Sequence, residues 1–113
     1  MKLPHLERAD VPEAKITRYL LNLAHETGKA KATLFMAFGF SIDTWETLQV
    51  ALLEHAAQHE VKEVVQMPKG IHYVIEGALT CPDGRAPIVR AVWRVDEGSN
   101  TPRFITAYSG ESS

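Results

Sequence analysis

Cysteine and long hydrophobic runs are nearly absent from this sequence. With Cys81 as its single cysteine, the chain cannot form an internal disulfide or a zinc site built from several cysteines. No segment approaches the roughly 18 consecutive apolar residues of a membrane helix, and the first residues lack the basic-then-apolar order of a secretory signal. We therefore expect a cytoplasmic protein that makes no contact with a membrane.

Positive charge is also scarce. Twelve lysine and arginine residues stand against fourteen acidic residues, so the formal net charge at pH 7 is −2. Affinity for nucleic acid without sequence preference grows with the number of phosphates neutralised, which argues against a general nucleic-acid coat. A cleavage site needs only a few cations brought together, so the charge balance leaves an RNA-cutting enzyme open.

The five histidines lack the spacing of metal ligands. His55 and His59 are four residues apart on a predicted helix, but no third ligand is evident near them. We therefore predict no metal site and no cofactor.

Length and periodicity predict a single domain of class α+β, spanning residues 1–113. Apolar residues recur at helical spacing over about residues 10–60 and at every second position over about 61–109. We predict about three N-terminal helices packed on one face of a roughly four-stranded antiparallel meander sheet, because the strand-like segments follow one another through short turns. The predicted strands are 61–66, 71–80, 88–96 and 103–109.

Capping signals predict where the three helices begin and end. The first helix begins with Asp10 as its carboxylate cap. Its buried stripe is predicted to consist of Ile16, Tyr19, Leu20 and Leu23. The second helix runs over about residues 29–38 and ends in a left-handed turn at Gly39, after which Phe40 folds back. The third helix follows capping side chains at residues 41–43.

A cationic motif, His25-x-x-Gly28-x-x-Lys31, precedes the second helix. Lys31 opens the apolar stripe of that helix, so its ammonium group either closes the edge of the core or serves an anionic ligand. Gly28 would let an anion approach the free N–H groups of the helix start, with Lys29 next to it. His25 is a candidate phosphate contact or proton carrier near neutral pH, although a loop histidine is often structural. The spacing of the motif favours a site.

Arginine and hydroxyl side chains are predicted to meet on the last two strands. Arg90 and Arg94 share one face of the third strand, while Phe104, Thr106 and Tyr108 share one face of the fourth. In a hairpin, either arginine can lie near Thr106 or Tyr108, depending on the register. A guanidinium group beside two hydroxyl groups suits a phosphate. Arginines on a solvated sheet face fit the same pattern equally well.

Residues 15–40, KITRYLLNLAHETGKAKATLFMAFGF, and residues 89–108, VRAVWRVDEGSNTPRFITAY, together resemble a small bacterial domain of uncharacterised function. That domain occurs alone and at the C-terminal ends of polymorphic toxins. The shared pattern consists of two helix ends, a His-x-x-Gly-x-x-Lys-Ala segment, a strand tryptophan and a closing Thr-Ala-Tyr. It lies here at Tyr19 to Asn22, His25 to Ala32, Phe35 to Phe40, Trp93 and Thr106 to Tyr108. The match covers nearly the whole chain and departs at Ser109, where proline is usual.

The order of elements is similar to that of the barnase–EndoU–colicin–RelE group of metal-independent ribonucleases. The resemblance implies RNA cleavage by attack of a ribose 2′-OH on its own 3′-phosphate, which needs a base, an acid and cations around the phosphorus. It also implies two partners, an RNA substrate and an antitoxin or immunity protein that controls the toxin-like module. The residues cast in this reaction are His25 as acid or base, Lys31 and Arg90 as phosphate-binding cations, and Thr106 and Tyr108 as positioning hydroxyls.

Two other functions stay open. A non-enzymatic protein-binding module on a toxin-like fold would fit the acidic net charge and the modest number of cations. A ligand-binding domain would use the helix start at Gly28 for a small anion. The ribonuclease hypothesis requires His25, Lys31, Arg90 and Tyr108 to converge in one cleft, whereas dispersed cations would favour the protein-binding module.

Overall fold

The helices precede the sheet in the computed structural model, which describes residues 1–110. Short 3₁₀ turns lie at Leu6–Arg8 and Ile42–Thr44. The helices are α1 (Glu13–Lys15), which continues into a π-helical turn (Ile16–Leu20), α2 (Lys29–Ala37) and α3 (Trp45–Gln58). The strands are β1 (Val61–Met67), β2 (Gly70–Ala78), β3 (Ile88–Asp96) and β4 (Arg103–Ser109). No helix in the described residues is both long and apolar enough to cross a membrane.

The predicted α+β class and the meander are confirmed. The four strands pair antiparallel in the order β1-β2-β3-β4, so every strand lies beside its neighbour in sequence. The helices cover one face of this sheet, the inner face, where Ile75, Ala91, Trp93 and Phe104 are fully buried. The opposite face, called the outer face below, carries the residues that alternate with them on the strands. Those outer-face residues include His72, Val74, Glu76, Arg90, Val92, Arg94, Arg103, Thr106 and Tyr108.

The first helix differs from the prediction at both ends. Asp10 caps no helix, because its backbone pairs with the start of β4: its N–H group donates to the Pro102 carbonyl (2.9 Å), and its carbonyl accepts from the Phe104 N–H group (2.9 Å). At the other end, the Leu21 N–H group reaches back to the Ile16 carbonyl (2.8 Å) and closes a π-helical turn. The wider turn buries Leu21 and leaves Leu23 half exposed, so the prediction that Leu23 packs inward was wrong.

The predicted end of α2 is confirmed. Gly39 adopts a left-handed conformation with φ of 100°. The Phe40 N–H group donates to the Phe35 carbonyl (3.2 Å), and the Gly39 N–H group donates to the Met36 carbonyl (3.0 Å), which is the Schellman pattern. The rings of Phe35 and Phe40 meet edge to face with centroids 6.1 Å apart, so the chain folds back onto its own helix.

A bulge in β4 separates residues that were predicted to share a face. The register of β3 and β4 shifts between the pairs Val92–Thr106 and Trp93–Phe104, so Ile105 is the extra residue in β4. Phe104 therefore lies on the inner face, where it is fully buried, while Thr106 lies on the outer face. The prediction that Phe104 shares a face with Thr106 was wrong, because simple alternation takes no account of a bulge.

His55 joins α3 to the edge of the core and is the buried polar residue of the described chain. Its Nε2 lies 3.1 Å from the Gly77 carbonyl and 2.9 Å from the Val89 carbonyl, so Nε2 carries a proton and donates to both. Its Nδ1 is buried without a partner among the described residues. Burial therefore lowers the pKa of His55, and the two carbonyl groups offset this only in part.

The lowered pKa of His55 makes the protein sensitive to mild acid. Below the ordinary histidine pKa of about 6.5, the unfolded chain takes up a proton that the folded chain refuses, so the free energy of unfolding falls as the pH falls. One such group contributes at most about 1.4 kcal/mol per pH unit. The free energy of unfolding, measured by urea titration between pH 7 and pH 5, is expected to change less with pH in His55→Gln than in the wild type. The exposed His5→Asn variant is the control, and equal slopes for His55→Gln and wild type would contradict this interpretation.

Candidate functional site

Tyr19 lies at the centre of the candidate site, where the π-helical turn meets β4. Its hydroxyl group is 2.9 Å from the Thr106 hydroxyl oxygen, a hydrogen bond in which either oxygen can donate. Its ring meets the His25 ring edge to face with centroids 5.1 Å apart. Tyr19 therefore ties the loop after the first helix to the outer face of β4.

Lys31 lies between two tyrosine rings. Its ammonium nitrogen is 5.8 Å from the centroid of the Tyr19 ring and 5.8 Å from that of the Tyr108 ring. Both distances suit a cation–π interaction. Lys31 forms no ion pair with any residue from 1 to 110. The first turn of α2 thus presents a half-buried cation whose charge is not neutralised by a neighbouring carboxylate.

Arg90 lies directly opposite Tyr108 on the outer face. Its guanidinium group binds the Glu76 carboxylate through Nε (3.1 Å) and Nη2 (2.8 Å), and Lys62 reaches the same carboxylate at 2.9 Å. Hydrogen bonds from Lys62 and then Arg90 lower the pKa of Glu76, so the carboxyl group is ionised at neutral pH. Glu76 first and Tyr108 second raise the pKa of Arg90. Two cations therefore share one carboxylate, which leaves an excess of positive charge beside Tyr108.

His25 is fixed by the backbone that follows it. Its Nδ1 accepts hydrogen bonds from the Gly28 N–H group (2.9 Å) and the Thr27 N–H group (3.1 Å). Because Nδ1 is an acceptor, the neutral ring carries its proton on Nε2. In this conformation His25 can offer a ligand one hydrogen bond, which its Nε2–H group donates.

Gly28 lets the start of α2 approach Tyr19. A Cβ atom at this position would lie 2.5 Å from the Tyr19 carbonyl oxygen and 2.9 Å from the Tyr19 ring, so any side chain would force the two segments apart. The Gly28 N–H group, predicted to bind an anion, already donates to His25. Gly28 is thus a packing residue that brings His25, Lys31 and Tyr19 together.

The other two residues predicted to bind an anion lie outside this cluster. Lys29 is exposed at the start of α2. Arg94 is four residues further along β3 than Arg90, where its Nε binds Asp96 (2.6 Å) and its Nη2 donates to the Pro68 carbonyl (2.7 Å). The fold thus brings together His25, Lys31, Arg90, Thr106 and Tyr108, and it separates Arg94 from them.

Two members of the cluster, Tyr19 and Glu76, were not predicted from the sequence. Tyr19 was assigned to the buried stripe of the first helix, yet its hydroxyl group reaches Thr106. Glu76 went unnoticed, although a meander with a short β2–β3 connection places it opposite Arg90. The alternation of β2 already places Glu76 on the face opposite Tyr73 and Ile75. The register between β2 and β3, which sets Glu76 opposite Arg90, was the missing signal.

An apolar cavity of about 230 Å³ lies next to the cluster, between α2 and the paired ends of β3 and β4. Leu34, one turn after Lys31, and Ser109, directly after Tyr108, both line it, together with Phe38, Pro87 and Ile88.

Within residues 1–110, no three His, Cys, Asp or Glu side chains lie close enough together to hold a metal ion.

Comparison with known proteins gives a family and a structural relative. The family model described as a domain of unknown function (DUF6883) matches residues 2–111. The fold is similar to a chain of the contact-dependent growth inhibition toxin–immunity protein complex from Klebsiella pneumoniae 342, with a TM-score of 0.72 and 14% sequence identity. The superposition covers 96% of this chain and 98% of the other. At this identity the likeness concerns the fold. No curated protein sequence matches the chain.

Proposed function

The chain belongs to the DUF6883 family, and from the geometry of its site we propose that it is an endoribonuclease that cleaves RNA without a metal ion. We further propose that it acts as a toxin-like module held in check by an immunity protein or antitoxin. The fold of the Klebsiella pneumoniae chain from a toxin–immunity complex is consistent with such a pairing. One observation carries the proposal: Lys31 of α2 and Arg90 of β3 both lie beside the same tyrosine, Tyr108.

The cations of the site suit the charge that develops during RNA cleavage. When a ribose O2′ attacks the adjacent phosphorus, negative charge grows on the phosphoryl oxygens. Lys31, which has no carboxylate partner among the described residues, and Arg90, which shares its partner with Lys62, can both face those oxygens. The Nε2–H group of His25 adds a further donor. Thr106, held by Tyr19, fixes the strand beside the phosphate.

Proton transfer is assigned to Glu76 and Tyr108. Glu76 takes the proton from the 2′-OH group as O2′ bonds to phosphorus, and Tyr108 gives a proton to O5′ as the phosphorus–O5′ bond breaks. The products are a 2′,3′-cyclic phosphate and a 5′-hydroxyl group. Hydrogen bonds from Lys62 and Arg90 lower the pKa of Glu76 in the free protein. A phosphate that draws Arg90 away from Glu76 would weaken this effect and make the carboxylate more basic when substrate is bound.

The proposal is tested with purified protein, total RNA and EDTA. We expect fragments that end in 2′,3′-cyclic phosphate, and we expect the activity to follow the protein peak through gel filtration. An oligonucleotide with 2′-deoxyribose at the cleaved position is the matched control and is expected to stay intact, because it lacks the attacking oxygen. Cleavage that separates from the protein peak, or intact RNA across ribosomal, transfer and messenger substrates, would contradict the proposal.

A second candidate function is a non-enzymatic protein-binding module, which the edge strand β1 favours. Val64 and Val65, on opposite faces of β1, are exposed by 49% and 36%. An exposed edge strand with apolar side chains is a ready template for pairing with another chain. If RNA stays intact while a partner protein protects β1 from amide hydrogen exchange, this second function replaces the first.

A further inference from the structure

Two arginines face each other on the outer face at the far end of the sheet. Arg94 of β3 and Arg103 of β4 are direct cross-strand partners. Like charges directly opposite each other destabilise a strand pair. Asp96 is the carboxylate that offsets them, at 2.6 Å from Arg94 and 3.4 Å from Arg103. The arginine pair, Arg94 and Arg103, therefore carries more positive charge than its surroundings neutralise.

His72 adds a third nitrogen-bearing side chain to this corner. It is the cross-strand partner of Arg94 on β2, and its Nε2 lies 3.4 Å from Arg94 Nη1. Burial first, and the charge of Arg94 second, lower the pKa of His72, so the ring is neutral at physiological pH. Arg103 remains half exposed to solvent. The side chain of Arg94 is 18% exposed, and its Nε, Nη1 and Nη2 contact Asp96, His72 and the Pro68 carbonyl. The corner thus offers an anion the exposed guanidinium group of Arg103 and the N–H groups that Arg94 has left.

Two valines lie between the arginine pair and the candidate site. Val74 and Val92 are cross-strand partners on the outer face, midway between Arg90 and Arg94. Val92 is partly exposed, whereas Val74, beside Glu63 of β1, is only 7% exposed. Neither packs into the core on the helical side of the sheet. Four residues of strand separate Arg90 from Arg94, which is about 13 Å at 3.3 Å per residue. A stacked nucleic-acid strand covers that distance with about four nucleotides at 3.4 Å each, and an extended strand with fewer.

We propose that Arg94 and Arg103 form a second phosphate-binding subsite, and that single-stranded RNA crosses the outer face from Lys31 and Arg90 to this pair. The inference rests on the proposed function, because it extends the same RNA past the cleaved bond. The exposed part of Val92 lies under the nucleotides between the two phosphates. The strands carry four cations on the outer face, Lys62, Arg90, Arg94 and Arg103, against three carboxylates, Glu63, Glu76 and Asp96. This face therefore has a small positive excess that suits RNA, even though the whole chain has a net charge of −2.

The subsite is tested with oligonucleotides of two lengths, each with a single 2′-hydroxyl group so that only one bond is cleavable. The short substrate is a dinucleotide, and the long substrate extends it by four nucleotides on both sides. We expect kcat/KM to be about tenfold higher for the long substrate, the size of one charge-assisted contact. Arg94→Ala/Arg103→Ala is expected to lose this gain and to cleave the dinucleotide at the wild-type rate. The control Lys2→Ala/Arg18→Ala, which removes two charges outside the sheet, is expected to keep the gain.

Binding gives an independent readout. With a fully 2′-O-methylated long strand, which cannot be cleaved, fluorescence anisotropy measures affinity across salt concentrations. We expect the slope of log K against log salt to fall by about 0.7 in Arg94→Ala/Arg103→Ala, because the pair holds one phosphate and each phosphate neutralised on a single strand contributes about 0.7.

The possible outcomes separate the subsite from the proposed function. Equal cleavage of both lengths by the wild type would overturn the subsite and leave the ribonuclease standing. If the wild type leaves both substrates intact, but the slope of log K against log salt still falls as expected in Arg94→Ala/Arg103→Ala, the ribonuclease is overturned and the subsite stands. Binding of polyaspartate as tight as that of the RNA strand would overturn RNA as the occupant, in favour of an acidic protein surface.

Discussion

Replacement of Lys31 by alanine is expected to lower the rate of RNA cleavage about 10²- to 10³-fold, the usual cost of removing one group that stabilises charge in a transition state. The ammonium group of Lys31 lies beside the Tyr108 ring and has no carboxylate partner in residues 1–110. No ion pair has to be broken before it meets a phosphate. Its full charge is therefore available to the reaction.

Two companion variants separate the charge of Lys31 from its packing. The aliphatic stem of lysine also covers the tyrosine rings, so alanine removes packing as well as charge. Lys31→Met keeps a stem of similar length and is expected to lose as much activity as Lys31→Ala. Lys29→Ala, at the exposed position two residues earlier, is the matched control and is expected to keep the wild-type rate.

The measurement is kcat/KM on a labelled oligonucleotide in EDTA, beside urea unfolding of each variant. The free energy of unfolding of Lys29→Ala is expected to stay within about 0.5 kcal/mol of the wild type, as for most surface substitutions. A Lys31→Met variant that cleaves at the wild-type rate would remove Lys31 from the mechanism. If Lys29→Ala lost activity as well, the effect would belong to the general charge of the α2 start.

The sequence was sufficient to predict the bounds of β3 and β4, because β3 alternates strictly and the polar loop 97–102 separates the two strands. It was also sufficient for the end of α2, where Gly39 is followed by an aromatic residue. It was insufficient for the start of the first helix, because Asp10 has the side chain of a helix cap but its backbone is hydrogen-bonded to the start of β4. A local pattern carries no information about such a long-range bond.

The candidate site was predicted in part for the same reason. The spacing from His25 to Lys31 was visible locally, and pairing of β3 with β4 followed from their order. The relative position of the two halves depended on Tyr19, whose π-helical turn directs its hydroxyl group to Thr106. The separation of Arg94 from Arg90 is a matter of strand rise, since residues on one face at i and i+4 are too far apart for one phosphate.

Trp93 lies at the centre of the inner face, and Trp93→Ala is expected to lower the free energy of unfolding by about 3–5 kcal/mol. The side chain is fully buried, with its ring 5.5 Å from Phe104 and its strand position opposite Tyr73. Such a loss approaches the whole stability of a small domain, which is commonly about 5–15 kcal/mol. Trp93→Ala is therefore expected to be largely unfolded at 37 °C.

Trp93→Phe is expected to lose much less, because it removes a buried group without a partner. The Trp93 Nε1–H group has no hydrogen-bond acceptor among the described residues. An unsatisfied buried donor costs about 1–3 kcal/mol, and its removal offsets part of the packing energy that the smaller ring gives up. We expect a loss below about 2 kcal/mol in urea unfolding followed by circular dichroism and by the fluorescence of Trp45. If Trp93→Phe lowers the free energy of unfolding as much as Trp93→Ala does, the close packing of the indole ring outweighs the cost of its unpartnered donor.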